Sequence, residues 1–332
     1  MHKLVAILML GLGLGACAGP AVEQRDGYSV DHRHSATSHS SRVRSLVIHY
    51  TDADEADSLR TLTGPRVSSH YLIPPPRNGK PPPVYQLVDE TRRAWHAGAS
   101  SWAGRENLND TSVGIEVVNT GPDHRFVDIE AGLKASWAPF PDAQITALIA
   151  LAQDIIARHG IETTAVVSHA EIAPTRKIDP GPAFPWQRLH AAGIGPWPDP
   201  ARVACYRRRF EKAPLPLGSL QRALAEWGFA VTPSGVLDNT TRGALRAFQM
   251  RYRPTDYRGL ADTESMAILW ALLAEYRPET LSVRPATAPP CRWPAANLTT
   301  SRHVPDRITD FGPANASGLA RHESGLARHE LL

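Results

Sequence analysis

The chain is short of the features that classify a protein most simply. Cysteine is scarce, with three in 332 residues, which excludes a fold stapled by many bridges. An excess of one charge is missing too. Lys and Arg number 36 against 33 Asp and Glu, for a net charge of +3, and no long Lys/Arg run exists, so nucleic acid is not an expected partner. Long hydrophobic runs are lacking. The apolar stretch Leu4–Leu14 falls well short of the roughly 20 residues that a spanning helix needs. What is plentiful is proline, 29 residues, gathered in loops and joins. The hydrophobic fraction of 42% is ordinary for a globular protein, and the length suits two domains.

The first residues read as a targeting segment. Lys3 gives a positive start, Leu4–Leu14 is apolar, and Leu14-Gly15-Ala16-Cys17 follows. This resembles a bacterial lipoprotein signal, which implies removal of 1–16, lipidation of Cys17 and a membrane held through that lipid. Residue 18 is Ala rather than Asp; by the same resemblance this implies the outer membrane, facing the periplasm. Residues 17–42 are polar, rich in Ser and His and without periodicity, and are expected to be a flexible tether. With Cys17 assigned to lipid, Cys205 and Cys291 remain. An oxidising compartment permits a disulfide between them, and two separate thiols are the alternative.

Residues 43–200 read as a mixed α/β domain. Val43–Tyr50 is apolar enough for a buried strand and ends near His49. Ser68–Ile73 is a second strand, and two proline triplets around Asn78-Gly79 predict a hairpin back into Val84–Val88. Thr111–Asn119 is a strand that carries Glu116 among Ile115, Val117 and Val118. The apolar spacing of Ile145, Leu148, Ile149, Ala152, Ile155 and Ile156 predicts a helix over 142–159, capped by Asp142 and stopped by Gly160. Residues 201–216 read as a proline-flanked linker with a solvated basic run, Arg207-Arg208-Arg209. Residues 217–277 predict a small three-helix unit with an internal repeat. GVLDNTTRGAL at Gly235 and GLADTESMAIL at Gly259 align at an offset of 24 residues, each with a capping Asp, Asp238 or Asp262. Residues 278–332 are a low-complexity tail ending in a duplicated SGLARHE.

The chemistry gathers in Val166–Trp186. His169 follows a short apolar run, and Asp179 comes ten residues later before Pro180-Gly181. A His and an Asp in a rigid loop are zinc-ligand types, and a catalytic zinc takes a third protein ligand and keeps one position open. His49 supplies a third donor if the ends of its strand and of 165–169 lie side by side. Spacing alone favours a structural role for these histidines, since a His at a strand end is more often structural than a ligand.

Several stretches together carry a family resemblance. They are IHYT at Ile48–Thr51, SSHYLI at Ser68–Ile73, WHAG at Trp95–Gly98, NDTSVGIEVVN at Asn109–Asn119 and SHAEIAPTRKIDPG at Ser168–Gly181. In this order they resemble the zinc-dependent N-acetylmuramoyl-L-alanine amidases of type 2, in particular the outer-membrane lipoprotein amidases of diderm bacteria. The resemblance implies a central mixed β-sheet flanked by helices and one catalytic Zn2+ on His49, His169 and Asp179. It also implies that Glu116 is the catalytic carboxylate and Lys177 the catalytic-loop lysine. His70, His96 and Trp95 fall in its motifs, as groove-lining residues, partners of the ligands, or plain core. The implied reaction is hydrolysis of the amide between N-acetylmuramic acid and L-alanine in peptidoglycan or muropeptides. A recognition protein without catalysis and a zinc peptidase acting within the stem peptide are the alternatives. Residues 217–277 resemble a type 1 peptidoglycan-binding module, through the Leu-Gln start, the G-x-x-D-x-x-T repeat and Ala244–Gln249. A monomer is expected.

Overall fold

A computed structural model of the chain describes residues 21–123, 135–280 and 291. The signal segment, Cys17 and, apart from Cys291, the tail beyond Thr280 lie outside the described residues. The described chain forms two compact units, the second beginning at Arg42. In the first, the stretch expected to be a tether contains a hairpin. Val22–Arg25 (β1) pairs antiparallel with Tyr28–Asp31 (β2), turning at Asp26-Gly27 with Gly27 at φ +79°. An Asp-Gly pair between two short runs is a turn signal, which the Ser- and His-rich composition around it obscures.

The second unit is built on a five-stranded sheet. Ser45–Tyr50 (β3) is followed by the helix Glu55–Leu62 (α1), then Tyr71–Ile73 (β4) and Tyr85–Gln86 (β5). Ser101–Trp102 (β6) and Arg105–Glu106 (β7) make a small hairpin before Ser112–Val117 (β8). The long helix Asp142–His159 (α2) leads to Val166–Ser168 (β9). The spatial order is β5-β4-β8-β3-β9, parallel except for the antiparallel β4–β5 pair. The sheet is therefore mixed, with its hairpin where the proline-flanked Asn78-Gly79 predicts one.

Strand alternation decides what each face carries. Leu46 and Ile48 of β3 and Val113, Ile115 and Val117 of β8 pack with Ile145, Leu148, Ala152 and Ile155 of α2. The residues between them, Val47 and His49 on β3 and Ser112, Gly114 and Glu116 on β8, fall on the opposite face. α2 runs over the predicted span, but Pro141 is its N-cap and Asp142 lies in its first turn. There the carboxylate complements the helix dipole and accepts from Arg188 Nη1 at 2.7 Å. Gly160 ends the helix at φ +64°, a left-handed conformation that costs glycine little.

After β9 come the one-turn helix His169–Ile172 (α3) and Trp186–Ala191 (α4). The segment read as a linker is a helix, Pro200–Lys212 (α5), with Asp199 as N-cap and Pro200 in its first turn. Proline is well placed there because its missing N–H has no helical partner to lose. α5 buries Tyr206 and Phe210, with the Phe210 ring edge-on to Trp270 at 5.3 Å. Cys205 on this helix is disulfide-bonded to Cys291.

The three-helix unit consists of Leu217–Trp227 (α6), Asn239–Tyr252 (α7) and Thr263–Tyr276 (α8). Asp238 and Asp262 cap the last two, as the repeat predicts. The repeat has a structural cause. Gln221 Oε1 accepts from Gly235 N at 2.7 Å while its Nε2 donates to Thr241 Oγ1 at 2.9 Å. Gln249 does the same with Gly259 N at 2.7 Å and Ser265 Oγ at 2.8 Å. Both glutamines are buried, so each copy of the repeat is one buried amide stapling a turn to a helix start.

Candidate metal centre and active site

The site lies on the sheet face opposite α2, where β3, β8 and the end of β9 deliver their side chains. The parallel pairing of β3 with β8 sets His49 beside Glu116 in register. β3 also pairs with β9 through Ile48 and Ser168, which brings His169 alongside. Ser168 is the N-cap of α3 in a reciprocal capping box: its Oγ accepts from Glu171 N at 3.0 Å and its N–H donates to Glu171 Oε2 at 2.8 Å. The loop then returns so that Ala170 N–H donates to the Asp179 carbonyl at 2.9 Å.

These constraints converge three donor atoms. His49 Nδ1 and His169 Nδ1 are 2.9 Å apart, and Asp179 Oδ2 is 3.1 Å from the first and 3.0 Å from the second. All three residues are buried. Two imidazole nitrogens and a carboxylate oxygen are a donor set that zinc takes, and three protein ligands are the catalytic pattern. The outer nitrogens are occupied: His169 Nε2 is 3.1 Å from the Ala97 carbonyl, and His49 Nε2 is 3.0 Å from His96 Nδ1. The residues present therefore fit a metal ion of this class.

Glu116 faces this group, with Oε1 4.0 Å from His49 Nδ1. Its Oε2 is buried and has no hydrogen-bond partner among the described residues. Burial, reinforced by the charge of Asp179, pushes its carboxyl well above the usual range, against the pull of the Lys177 ammonium. Asp179 behaves in the opposite way. Burial pushes its carboxyl up, but the imidazoles of His169 and His49 beside it hold it well below its ordinary value. Burial and the neighbouring His169 lower His49 to about 4.

The remaining candidates separate. His96 is buried, with its ring 5.1 Å from that of His49 and edge-on to it. His70 is also buried, and both its nitrogens serve the backbone: Nδ1 accepts from Gly114 N at 3.0 Å and Nε2 meets the Arg92 carbonyl at 3.2 Å. Trp95 is 54% exposed, with the Arg93 guanidinium 4.0 Å above its ring.

Sequence reasoning missed the residues that hold the site from the other domain. Arg251 on α7 reaches across to donate to Glu171 Oε2 at 2.8 Å and to the Val166 carbonyl at 2.9 Å. Its guanidinium also lies 4.0 Å over the Trp186 ring. Trp137 crowds the α-carbon of Gly181, where a Cβ would sit 2.4 Å from the ring, and its Nε1 donates to Tyr257 OH at 3.2 Å. Long-range pairs such as these leave no local signal. The capping box Ser168–Glu171 did leave one.

Comparison with known proteins finds relatives for both parts of the chain. The family profile for N-acetylmuramoyl-L-alanine amidase matches residues 39–182, and that for the peptidoglycan binding domain matches 216–269. The chain is 47% identical over 280 residues to N-acetylmuramoyl-L-alanine amidase AmiD of Escherichia coli K12, a match spanning 83% of this chain and 99% of that one. Among solved structures, the complex of E. coli AmiD with anhydro-N-acetylmuramic acid-L-Ala-D-gamma-Glu-L-Lys superposes with a TM-score of 0.67 at 47% identity, over 77% of this chain and 98% of the other. AmpDh3 of Pseudomonas aeruginosa in complex with anhydromuramic pentapeptide superposes with a TM-score of 0.68 at 42% identity, over 74% and 98%. On the strength of the AmiD match across nearly its whole length, the chain belongs to the N-acetylmuramoyl-L-alanine amidase family.

Proposed function

We propose that this chain hydrolyses the amide between the lactyl group of N-acetylmuramic acid and L-alanine at a single zinc centre held by His49, His169 and Asp179. Released 1,6-anhydro muropeptides are among its substrates. The observation that carries this reading is the convergence of three buried donors within 3.1 Å of one another, with Glu116 facing them. A bound zinc ion supplies a Lewis acid and lowers the pKa of water. Glu116 takes a proton from the attacking water and hands it to the departing L-alanine nitrogen. A carboxyl raised well above its usual range suits a group that must both accept and return a proton near neutral pH. Lys177 stabilises negative charge developing on the carbonyl oxygen; it lies close enough to the site to weigh on Glu116 and His49. The exposed Trp95 ring offers an aromatic surface on which a sugar could rest.

The substrates named for the related AmiD and AmpDh3 complexes support the anhydro specificity. We place the enzyme at the outer membrane, facing the periplasm and anchored through a lipid on Cys17. The Leu14–Cys17 signal supports this, as does the Cys205–Cys291 disulfide, which suits an oxidising compartment. The test is a digest of anhydro-muropeptides and purified sacculi, read by mass spectrometry with and without a chelator. Free stem peptide and peptide-free sugar, lost on chelation, are expected. A product that keeps L-alanine on the sugar would sink the proposal. Mass analysis of the mature N-terminal peptide tests the anchor, with an unmodified Cys17 counting against it.

A further inference from the structure

We propose that His96 is a positioning residue: together with the Ala97 carbonyl it imposes on both ligand histidines the tautomer that leaves a lone pair on Nδ1. The inference rests on the reading of His49, His169 and Asp179 as a metal centre.

The order of protons follows from one fixed end. The Leu108 carbonyl can only accept, and Ser112 Oγ lies 2.6 Å from it, so the Ser112 hydroxyl spends its single hydrogen there. The Ser112 oxygen then offers only lone pairs to His96 Nε2 at 3.2 Å, and that nitrogen carries the hydrogen. The other nitrogen of the neutral His96 ring, Nδ1, is an acceptor. His49 Nε2, at 3.0 Å, donates to it, and His49 Nδ1 is left with its lone pair. His169 reaches the same state directly, because its Nε2 faces the Ala97 carbonyl at 3.1 Å. Both inner nitrogens thus present lone pairs toward Asp179 Oδ2. Three lone-pair donors about 3 Å apart are satisfied by one shared cation.

The His96–Ala97 pair is itself clamped. Asn109 Oδ1 accepts from His96 N at 3.1 Å and from Ala97 N at 2.8 Å. The His96 ring rests on the bare α-carbon of Gly114, where a Cβ would lie 2.5 Å from Cγ of the ring. The outer hydrogen bond of a metal-ligating histidine fixes its tautomer and ring orientation, and removing that partner typically lowers metal affinity ~10–100-fold.

Two measurements test this on the full chain. In the zinc-loaded protein labelled with 15N-histidine, a coupling across the hydrogen bond should link a protonated His49 Nε2 to an unprotonated His96 Nδ1. A proton on His96 Nδ1 overturns the inference, and this spectrum needs no variant. The second measurement is zinc affinity by competition with a chromophoric chelator. His96→Leu, which removes the acceptor, should weaken zinc roughly 10–100-fold. His96→Asn, whose Oδ1 can stand near the position of Nδ1, should stay within about threefold of wild type. Equal affinity in wild type and His96→Leu overturns the positioning role. Absence of zinc binding by the wild type instead overturns the metal centre, and this inference with it.

Discussion

Two carboxylates share one buried site and are driven in opposite directions. Asp179 is held ionised by two imidazoles, whereas Glu116, desolvated by burial and facing the charge of Asp179, is pushed toward its neutral form. Such divergence marks separate roles, and substitution should separate them. Asp179→Ala should lose zinc and activity together. Glu116→Ala should keep zinc and lose activity by a factor of about 10²–10⁴. Zinc content and muropeptide turnover of the two purified variants check this, and full activity in zinc-loaded Asp179→Ala would refute the ligand assignment. At this scale the sequence was informative for a physical reason. Reactive residue types in an apolar strand or a Pro/Gly-bounded loop stand out against their neighbours, as Glu116 does between Ile115 and Val117. The Ser112 hydroxyl and the Ala97 carbonyl do not stand out, because their importance lies in which atom they face.

Among the elements, apolar runs and periodicity identified α2, the strands of the five-stranded sheet and the helices of the C-terminal unit, while α1, α3, α4, α5 and the two small hairpins escaped. α5 hides behind its composition. Its basic run reads as solvated surface, and only the Asp199-Pro200 start signals a helix. How elements are tied together is less visible still. The end of α2 is fastened by Glu90, which takes Arg158 Nη1 at 2.6 Å and Nη2 at 2.8 Å and also meets Tyr71 OH and His159. The Arg158 guanidinium, against the opposing effect of burial, lowers Glu90 to about 2. A carboxyl depressed in the folded state adds stability that is complete above its unfolded value near 4.5 and fades as pH falls from there toward 2. Glu90→Gln should therefore cost about 1 kcal/mol at pH 7, given that Arg158 is partly exposed. The gap to wild type should narrow as pH is lowered through 4.5. Urea denaturation at pH 7 and pH 3 measures both; a gap of equal size at the two pH values would show that the carboxylate charge is not the fastening.

For the molecule as a whole, the C-terminal unit is part of the catalytic fold. The recurring Gln, Gly and Thr/Ser positions that define it in sequence form internal staples. Its relation to the amidase portion had to come from three dimensions. One continuous core joins Val47, Trp102, Leu108, Val167 and Ile172 to Leu220, Leu224, Trp227, Leu245 and Phe248. Trp102 stacks edge-on to Phe229 at 5.1 Å. Arg251 and Glu171 form an ion pair with side chains 2% and 0% exposed, in the turn that carries His169. Cutting the chain after Gly195 would bare the amidase half of this core at ~1.5–3 kcal/mol for each large side chain. It would also remove the cation that pairs with Glu171 in the turn that carries His169. Together these rival the ~5–15 kcal/mol that holds a typical domain folded. The truncated chain should therefore fail to unfold cooperatively and should lose zinc at chelator concentrations the full chain withstands. Activity on a small soluble muropeptide should fall with it, although such a substrate needs no wall-binding module. Cooperative unfolding with unchanged turnover of that substrate would show instead that the unit is a detachable targeting module. A smaller cut separates the ion pair from the apolar seam: Arg251→Met should destabilise the full chain by about 3 kcal/mol, and adding Glu171→Gln should restore much of the loss, because the uncompensated charge is what costs most.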